Sequence, residues 1–215
     1  AGQTKTIRLG TGIVIAALRG GAVLAKTAAT LDLLSGGRLD LGVGTGWQER
    51  EYEAAGMDFG KRGPLLDDAL AVCRALWSSA PASIDTPRLK FDDVYCVPRP
   101  AAGIPIWVSG ALSEAVVRRV ATWGDGWIPI MGAADDDLRE GIDVIGKAMA
   151  DLGRDPAELQ VRGRLTVVRG SDGSIDLPAT MIGAEQLLES GATDVLVALA
   201  AVDPDPDAAM AEFGE

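Results

Sequence analysis

Three glycines alternate along a short stretch near the start of the chain, and a tryptophan follows them directly. Gly42, Gly44 and Gly46 stand at every second position, and Trp47 comes next. Since glycine has no Cβ, this spacing at a strand exit lets a backbone or a flat ligand approach closely. The Thr45 hydroxyl offers a hydrogen bond to a polyol chain or a phosphate, and Trp47 offers an apolar wall. A tight turn, with Trp47 packed at the rim of the fold, fits the pattern equally well.

A second stretch, Ser109 to Ser113, has the residue types expected where a strand gives way to a helix. Gly110 and Ala111 are small, and Ser113 stands where the next helix is predicted to begin. The unpaired N–H groups and positive dipole end of a helix N-terminus attract a phosphate without a basic side chain. We therefore predict a phosphate over the N–H groups of Gly110 and Ala111, with the Ser113 hydroxyl donating to it. Ser113 can instead be only an N-cap, or fill both roles.

Charged residues elsewhere in the chain have simpler interpretations than catalysis. Asp125 lies between two glycines, where an aspartate favours hydrogen bonds to the nearby backbone of a turn. The acidic run 135–137 is predicted to begin a helix and stabilise its dipole, not to bind a metal. Glu49, Arg50 and Glu51 are predicted to be solvated in a loop. No residue is therefore assigned as catalytic.

The composition excludes several classes of chemistry. The chain has 31 acidic and 20 basic residues, a net charge of −11 and no histidine. A protein that binds nucleic acid needs a concentrated basic surface, and no such run occurs. Without histidine or a cysteine cluster, no zinc site is predicted and the commonest general base is missing. Chemistry on a small-molecule substrate must then depend on a bound cofactor, on carboxylates or on residues outside this chain.

Hydropathy and cysteine content predict a cytoplasmic protein that is not inserted in a membrane. Hydrophobic residues make up 47% of the chain, but no apolar run reaches the ~18 residues of a membrane span. The first residues lack the layout of a signal peptide. The two cysteines suit a reducing compartment, with Cys73 on an apolar helical face and Cys96 in a loop.

Strand-like and helix-like apolar patterns alternate along the chain. The first strand is β-branched and nearly continuous, as in strands buried on both faces. Helical patterns step by three and four residues, and several end at glycines. The predicted strands are 7–15, 38–43, 106–109, 126–129, 161–168 and 193–198. The predicted helices are 22–34, one beginning near Pro64, 113–122, one through Leu138, Ile142, Ile145, Met149 and Leu152, 179–189, and one from Asp203.

The alternation of six strands with helices predicts parallel strands joined by right-handed crossovers. An open doubly wound sheet and a closed (β/α)₈ barrel both fit this pattern. A barrel normally has eight units and ~250 residues, so 215 residues with six units predict a barrel without two of them. The proline-rich segment 79–104 includes a candidate strand, LKFDDVYCV. It is predicted as an insertion at the rim of a single barrel domain, 1–215.

Three segments together resemble the bacterial luciferase-like monooxygenase superfamily, and its deazaflavin-dependent branch most. They are IRLGTGIVI, LAKTAATLDLLSGGRLDLGVGTGW and PIWVSGALSEAVVRRVATWGDGW. The resemblance implies a (β/α)₈ barrel that binds coenzyme F420, or alternatively FMN, at the carboxyl ends of its strands. It places a non-prolyl cis peptide at Thr11, Gly12 and Ile13, behind the cofactor ring. It also places the cofactor phosphate at the helix after Ser109. The stretches Gly44 to Trp47 and Ser109 to Ser113 are therefore both expected to bind the cofactor.

In this superfamily the chain normally begins two βα units earlier, which makes 7–15 the third strand. Those units usually carry residues that face the cofactor ring, often including a histidine. The resemblance leaves three alternatives: the units were removed, they were not observed, or the protein is a natural short relative. Relatives commonly dimerise, so a homodimer is also expected.

The leading hypothesis is an oxidoreductase that transfers hydride to or from a deazaflavin, where the cofactor carries the redox chemistry and the protein positions it. An FMN-dependent monooxygenase is the alternative within the same class. A truncated barrel kept as a non-catalytic binding or structural protein is the alternative from another class. The missing units and the absence of histidine favour this last hypothesis. The glycine-rich stretch that ends at Trp47 and the stretch from Ser109 to Ser113, where the phosphate is expected, favour the two enzymatic hypotheses.

Overall fold

A curled sheet of parallel strands, connected through helices, forms the frame of the protein. The computed structural model describes residues 1–130, 135–202 and 205. The strands are β1 (Leu9–Gly10), β2 (Val14–Ile15), β3 (Leu39–Gly44), β4 (Ala82–Asp85), β5 (Lys90–Val94), β6 (Ile106–Ser109), β7 (Gly126–Ile128), β8 (Gln160–Arg164) and β9 (Asp194–Leu196). The helices are α1 (Ala16–Arg19), α2 (Gly21–Ser35), α3 (Glu49–Ala54), α4 (Arg62–Ser78), α5 (Glu114–Trp123), α6 (Asp135–Asp151) and α7 (Leu177–Glu189).

The strands of the main sheet follow one another in the order of the chain. Neighbouring pairs run from β1 to β3, β6, β7, β8 and β9, every pair is parallel, and β2 also pairs with β3. A doubly wound sheet would reverse its strand order at a switch point, whereas a barrel adds each strand on the same side. Within the described residues, β1 and β9 do not pair with each other. The architecture is therefore a partial (β/α)₈ barrel, which confirms the predicted fold class.

A bulge divides the first predicted strand into β1 and β2. Thr11 begins the bulge, and the peptide bond between Gly12 and Ile13 is cis, which confirms the prediction from the resemblance. The Thr11 N–H donates to the Asp40 carbonyl at 3.2 Å, and the Thr11 hydroxyl donates to the Gly42 carbonyl at 2.8 Å. These two hydrogen bonds hold the bulge against β3.

The segment predicted as a loop, 44–63, contains helical turns, so that prediction is wrong in part. α3 lies within it, a short 3-10 helix follows at Phe59–Lys61, and α4 already begins at Arg62. Tyr52 is the buried residue of α3, and one buried side chain in a six-residue helix gives no periodic pattern to detect. The charged side chains of α3 are exposed, as predicted.

The segment 79–104 carries an antiparallel hairpin of β4 and β5. The candidate strand predicted there includes β5, whereas β4 was not predicted. Two arginines fix the hairpin region to α4. The guanidinium of Arg88 pairs with Asp68 at 2.8 Å, and Arg99 donates to the Ser78 carbonyl at 3.1 Å.

The hydrophobic core lies between the sheet and its helices, and α2 packs on α4 within it. Trp77 on α4 donates from Nε1 to the Ala25 carbonyl on α2 at 3.0 Å. Cys73 on α4 is fully buried, as predicted, and burial raises the pKa of its thiol to about 12. Cys96, in the loop after β5, is also buried. The Cys73 thiol is therefore protonated at neutral pH and acts as a small apolar group.

The later elements match their predictions except near their ends. β8 ends at Arg164, short of the predicted limit at 168. Leu152, predicted on the apolar face of α6, is 58% exposed because the helix ends at Asp151. The last predicted helix, from Asp203 onward, lies outside the described residues except for Asp205.

Candidate active site

The inner face of the sheet encloses a cleft of about 580 Å³ that reaches the carboxyl ends of the strands. Its wall comes from β1, the bulge that follows β1, β3, and the carboxyl-terminal parts of β6, β7, β8 and β9. Barrel enzymes build their sites at this end of the strands. The lining residues are Arg8, Gly10, Thr11, Gly12, Ile13, Asp40, Ser109, Ile128, Pro129, Ile130, Arg162, Arg164, Leu196 and Ala198.

Strand alternation explains why these side chains share one face, since successive residues of a strand point to opposite sides of the sheet. On β8, Arg162 and Arg164 line the cleft, whereas Val161 belongs to the hydrophobic core. On β6, Ser109 lines the cleft and Val108 belongs to the core. On β6 and β8, Ser109 and the two arginines therefore lie inside the partial barrel, and the two valines pack in the hydrophobic core.

Two glycines, Gly42 and Gly12, place no side chain at the bulge in the cleft wall. A Cβ on Gly42 would lie 1.9 Å from the Thr11 carbonyl oxygen, so the bulge can rest against β3 only because Gly42 has no side chain. Gly12 itself lines the cleft, and a Cβ there would meet no atom within 4 Å. The backbone at Gly12 is thus an open surface to which a planar ligand can come close.

Two ion pairs lie on the inner face of the sheet. Arg8 donates to the Asp40 carboxylate from Nε at 2.8 Å and from Nη2 at 2.6 Å. The hydrogen bonding to Asp40 raises the pKa of the Arg8 guanidinium above its ordinary value, although burial opposes this effect. Arg162 donates from Nε to Asp194 at 2.5 Å, and its guanidinium carbon lies 4.1 Å from the Trp107 ring centroid. Both arginines are therefore held by acidic partners.

Four of the predicted cofactor residues line the cleft, namely Thr11, Gly12, Ile13 and Ser109. They come from segments about a hundred residues apart in the sequence. The sheet brings them together because β1, β2 and β6 all pair with β3. The Thr11 hydroxyl already donates its proton within the protein, so toward a ligand it offers only its lone pairs.

The glycines at the exit of β3 lie beside the cleft and not in its wall. A Cβ on Gly44 would lie 3.0 Å from the Ile13 side chain and 3.8 Å from the Ser109 Cβ. Gly44 is therefore positioned behind two residues that do line the cleft. Gly46 has φ +70°, and a Cβ there would lie 2.7 Å from the Ile15 side chain. The close approach predicted for a ligand at these two glycines is made instead by the protein's own isoleucines.

Thr45 and Trp47 do not line the cleft either. The Thr45 carbonyl accepts a hydrogen bond from the Tyr52 hydroxyl at 2.6 Å, and burial raises the pKa of that hydroxyl above its ordinary value. Trp47 is 84% exposed, which contradicts the alternative that it packs at the rim. An exposed tryptophan just beyond β3 is available to contact a ligand at this end of the sheet.

The helix N-terminus after β6 forms as predicted, with one correction. Ser113 is the N-cap of α5, and its hydroxyl accepts the Val116 N–H at 3.4 Å. The Gly110 N–H donates to the Ile128 carbonyl at 3.1 Å, so the prediction that this group faces a phosphate is wrong. The reason is that Gly110 prolongs the pairing of β6 with β7. A Cβ on Gly110 would lie 2.6 Å from Val116, whereas Ala111 and Ser113 are exposed.

Asp125 has a structural role, but not the local one predicted for a turn. Its Oδ2 accepts the Ile106 N–H at 2.8 Å and a hydrogen bond from Arg74 at 2.7 Å. Arg154 lies 3.7 Å from the other carboxylate oxygen. Asp125 therefore links the amino end of β6 to α4. Ser109 lies at the other end of β6.

Two kinds of feature are absent from residues 1–130, 135–202 and 205. No group of three or more histidine, cysteine, aspartate or glutamate residues there is arranged to hold a metal ion. No helix in those ranges is both long and apolar enough to cross a membrane. The acidic run 135–137 begins α6, as predicted.

The sequence prediction missed the charged residues of the cleft. Arg8, Asp40, Arg162 and Arg164 all line it. A signal for three of them was present in the sequence. Asp40 stands between two leucines, and the two arginines stand at alternate positions of one strand. Charges that recur with period two in an otherwise buried strand point to a shared inner face.

A family model described as luciferase-like monooxygenase matches residues 1–173. An uncharacterised protein of Mycobacterium tuberculosis is 35% identical over 153 residues, which cover 71% of this chain and 54% of that protein. The phthiodiolone/phenolphthiodiolone dimycocerosates ketoreductase of the same species is 34% identical over 172 residues, 77% of this chain and 45% of that protein. The chain thus spans about half the length of these curated relatives.

Two solved structures share the fold. The coenzyme F420-dependent tetrahydromethanopterin reductase from Methanopyrus kandleri has a TM-score of 0.75 and 18% identity, covering 99% of this chain and 82% of that chain. The oxygenating constituent of 3,6-diketocamphane monooxygenase from Pseudomonas putida, in complex with FMN, has a TM-score of 0.63 and 18% identity. That match covers 79% of this chain and 51% of the monooxygenase. At such identities the likeness shows the fold alone.

Proposed function

Since this chain belongs to the luciferase-like monooxygenase family, we propose that it is an oxidoreductase that transfers hydride between coenzyme F420 and a small organic substrate. The sequence relative that is a ketoreductase and the structural relative that depends on coenzyme F420 both support this reaction class. When bound, the cofactor supplies the redox chemistry, and the chain supplies position, shape and electrostatics.

The open cleft wall at Gly12 is the observation that carries the proposal. A flat ring system needs a surface without side chains, and Gly12 offers one because a Cβ there would project into unfilled space. Ile13 and Ile128 line the same cleft and add apolar contacts. The cleft volume of about 580 Å³ is within the range of about 300–1,000 Å³ found for small-molecule sites. These residues therefore fit a deazaflavin or flavin ring.

The exposed start of α5 is the part of the chain that would hold the cofactor phosphate. Ser109 lines the cleft, and the chain continues from it to Ala111 and Ser113. Ser113 accepts a hydrogen bond from the helix backbone, which leaves its hydroxyl proton for a phosphate oxygen. The positive end of the helix dipole adds to this attraction.

Titration with the two cofactors tests the proposal. We expect coenzyme F420 to bind at least about tenfold more tightly than FMN, a difference of about 1.4 kcal/mol. Quenching of cofactor fluorescence, checked by difference absorbance, measures both dissociation constants under one buffer condition. A tighter complex with FMN contradicts the choice of deazaflavin. Binding of neither cofactor favours the non-catalytic relative.

An FMN-dependent monooxygenase is the second candidate, because the FMN-bound monooxygenase shares the fold of this chain. The same cleft wall and helix N-terminus would hold FMN, whose ring system is equally flat. Of the two reactions, only the monooxygenation consumes molecular oxygen. Oxygen uptake that requires the protein, reduced FMN and an organic substrate together, above the spontaneous oxidation of free reduced FMN, therefore distinguishes this candidate from hydride transfer with coenzyme F420.

Gly12→Val is expected to weaken cofactor binding by at least about tenfold while the protein stays folded. Gly12 lines the cleft and a Cβ there meets no protein atom within 4 Å, so we expect the loss to fall on ligand binding and not on the core. Fluorescence titration measures affinity, and thermal unfolding checks the fold. Gly2→Val is the matched control, because a Cβ on Gly2 also meets nothing within 4 Å, outside the cleft. Equal affinity in all three proteins contradicts the assignment of Gly12.

A further inference from the structure

Three arginines line the cleft, and two of them are paired with carboxylates of the protein. Arg8 is paired with Asp40, and Arg162 with Asp194, through hydrogen bonds of 2.5 to 2.8 Å. Each of these positive charges is thus offset by an adjacent carboxylate. The third arginine, Arg164, has no such partner in the part of the chain that the structure describes.

The side chain of Arg164 forms no hydrogen bond and no ion pair with any residue in the described ranges 1–130, 135–202 and 205. It stands two positions beyond Arg162 on β8, so both side chains are on the inner face and Arg164 is nearer the carboxyl end. A guanidinium stays charged at all physiological pH values, and its planar fork of donors matches a carboxylate or a phosphate. In a chain of net charge −11, this unpaired cation makes the cleft a local site for anions.

Much of the remaining cleft wall is apolar. Leu196 on β9 is the Cα partner of Arg164, so an apolar side chain lies directly beside the guanidinium-bearing position. The apolar lining residues are Ile13, Ile128, Pro129, Ile130, Leu196 and Ala198. An apolar wall with one unpaired cation suits a molecule that has an apolar body and one anionic group.

We propose that Arg164 binds the anionic group, a carboxylate or a phosphate, of the small molecule held in the cleft. If that molecule is the substrate, the proposed reaction acts on an organic anion with an apolar body. This identification of the substrate class rests on the proposed function. The same anionic chemistry occurs on the acidic tail of coenzyme F420 and on the phosphate of FMN, and the experiment separates these sources.

Benzoate and benzamide form a matched pair of probes, because they share the ring and its size and differ in charge. We expect the protein to bind benzoate at least about tenfold more tightly than benzamide in calorimetric or NMR titrations. Arg164→Met removes this preference, since methionine keeps an apolar chain without the charge. Arg164→Lys keeps part of it, since the ammonium is charged but lacks the planar fork.

Arg118→Met is the control for net charge. Arg118 lies on α5, its side chain is 58% exposed, and its replacement changes the charge of the chain by the same amount. The preference of the Arg118→Met variant for benzoate over benzamide is expected to equal that of the parent protein. Circular dichroism and thermal unfolding confirm that each variant is folded.

Two cofactor pairs identify the source of the anion: FMN with riboflavin, and coenzyme F420 with its deazaflavin core, which lacks the phosphate and the acidic tail. If Arg164→Met weakens only the member of a pair that carries the phosphate, the anion at Arg164 belongs to the cofactor. If it leaves both pairs unchanged while the preference for benzoate is lost, the anion belongs to the substrate. Both results support anion binding by Arg164.

The proposal is overturned if Arg164→Met leaves both members of every pair bound as in the parent. It is also overturned if Arg118→Met changes these affinities as much as Arg164→Met does. The benzoate titration needs no cofactor. Failure of coenzyme F420 and FMN to bind therefore contradicts the proposed function and leaves the test of Arg164 intact.

Discussion

Gly42→Ala is expected to lower the free energy of unfolding by about 3 kcal/mol or more. A Cβ on Gly42 would lie 1.9 Å from the Thr11 carbonyl oxygen and 3.1 Å from the Thr11 carbonyl carbon. Both are backbone atoms, so no side-chain rotation relieves the contact. Thr11 cannot move away without breaking its hydrogen bonds to the carbonyls of Asp40 and Gly42. The bulge, and with it the cleft wall, must therefore shift relative to β3.

Urea unfolding followed by circular dichroism measures this loss. Gly12→Ala is the matched control, because it adds the same methyl group one residue beyond Thr11 where no atom lies within 4 Å. Its stability is expected to stay within about 0.5 kcal/mol of the parent. If Gly42→Ala is as stable as Gly12→Ala, the bulge does not rest on Gly42 in the way described.

The fold was predictable because the strands of the main sheet and most helices carry their own local signal. The six apolar strand segments and the glycines after the helices depend only on neighbours in sequence, and the parallel arrangement follows from their alternation. The alternation alone fitted a doubly wound sheet equally well, and the number of units, the chain length and the resemblance favoured the barrel. Local patterns miss elements that are short or weakly periodic, such as α3 with its single buried Tyr52, or the hairpin strand β4.

The candidate site was predictable only in part, because its geometry depends on contacts between distant strands. Thr11 and Gly12 were found from the resemblance, and Ser109 from the residue types at the end of a strand that precedes a helix and from the resemblance. The Gly110 N–H was assigned wrongly because its acceptor, the Ile128 carbonyl, is fixed by the register of β6 and β7. The ion pairs of the cleft were missed for the same reason. Arg8 and Asp40 are 32 residues apart, and nothing local in either segment indicates that they meet.

Trp127→Ala is expected to lower the free energy of unfolding by about 3–5 kcal/mol. Trp127 is 1% exposed, and a Cβ on Gly141 would lie 2.3 Å from its ring, so α6 packs directly on the indole. Removing the ring therefore leaves a cavity between β7 and α6. The variant also loses the hydrogen bond from the Trp127 Nε1 to the Gly110 carbonyl at 3.0 Å, which leaves that oxygen without this donor.

Two further variants separate these contributions in urea unfolding. Trp127→Phe keeps most of the ring packing but removes the donor, so we expect a loss of about 1–2 kcal/mol. Trp47→Ala is the control for deletion of an indole, and because Trp47 is 84% exposed its stability is expected to stay within about 0.5 kcal/mol of the parent. The Gly110 carbonyl precedes the segment proposed to hold the cofactor phosphate, so Trp127→Phe should also weaken cofactor binding modestly. Equal losses of stability in Trp127→Ala and Trp47→Ala would contradict the packing of Trp127 between β7 and α6.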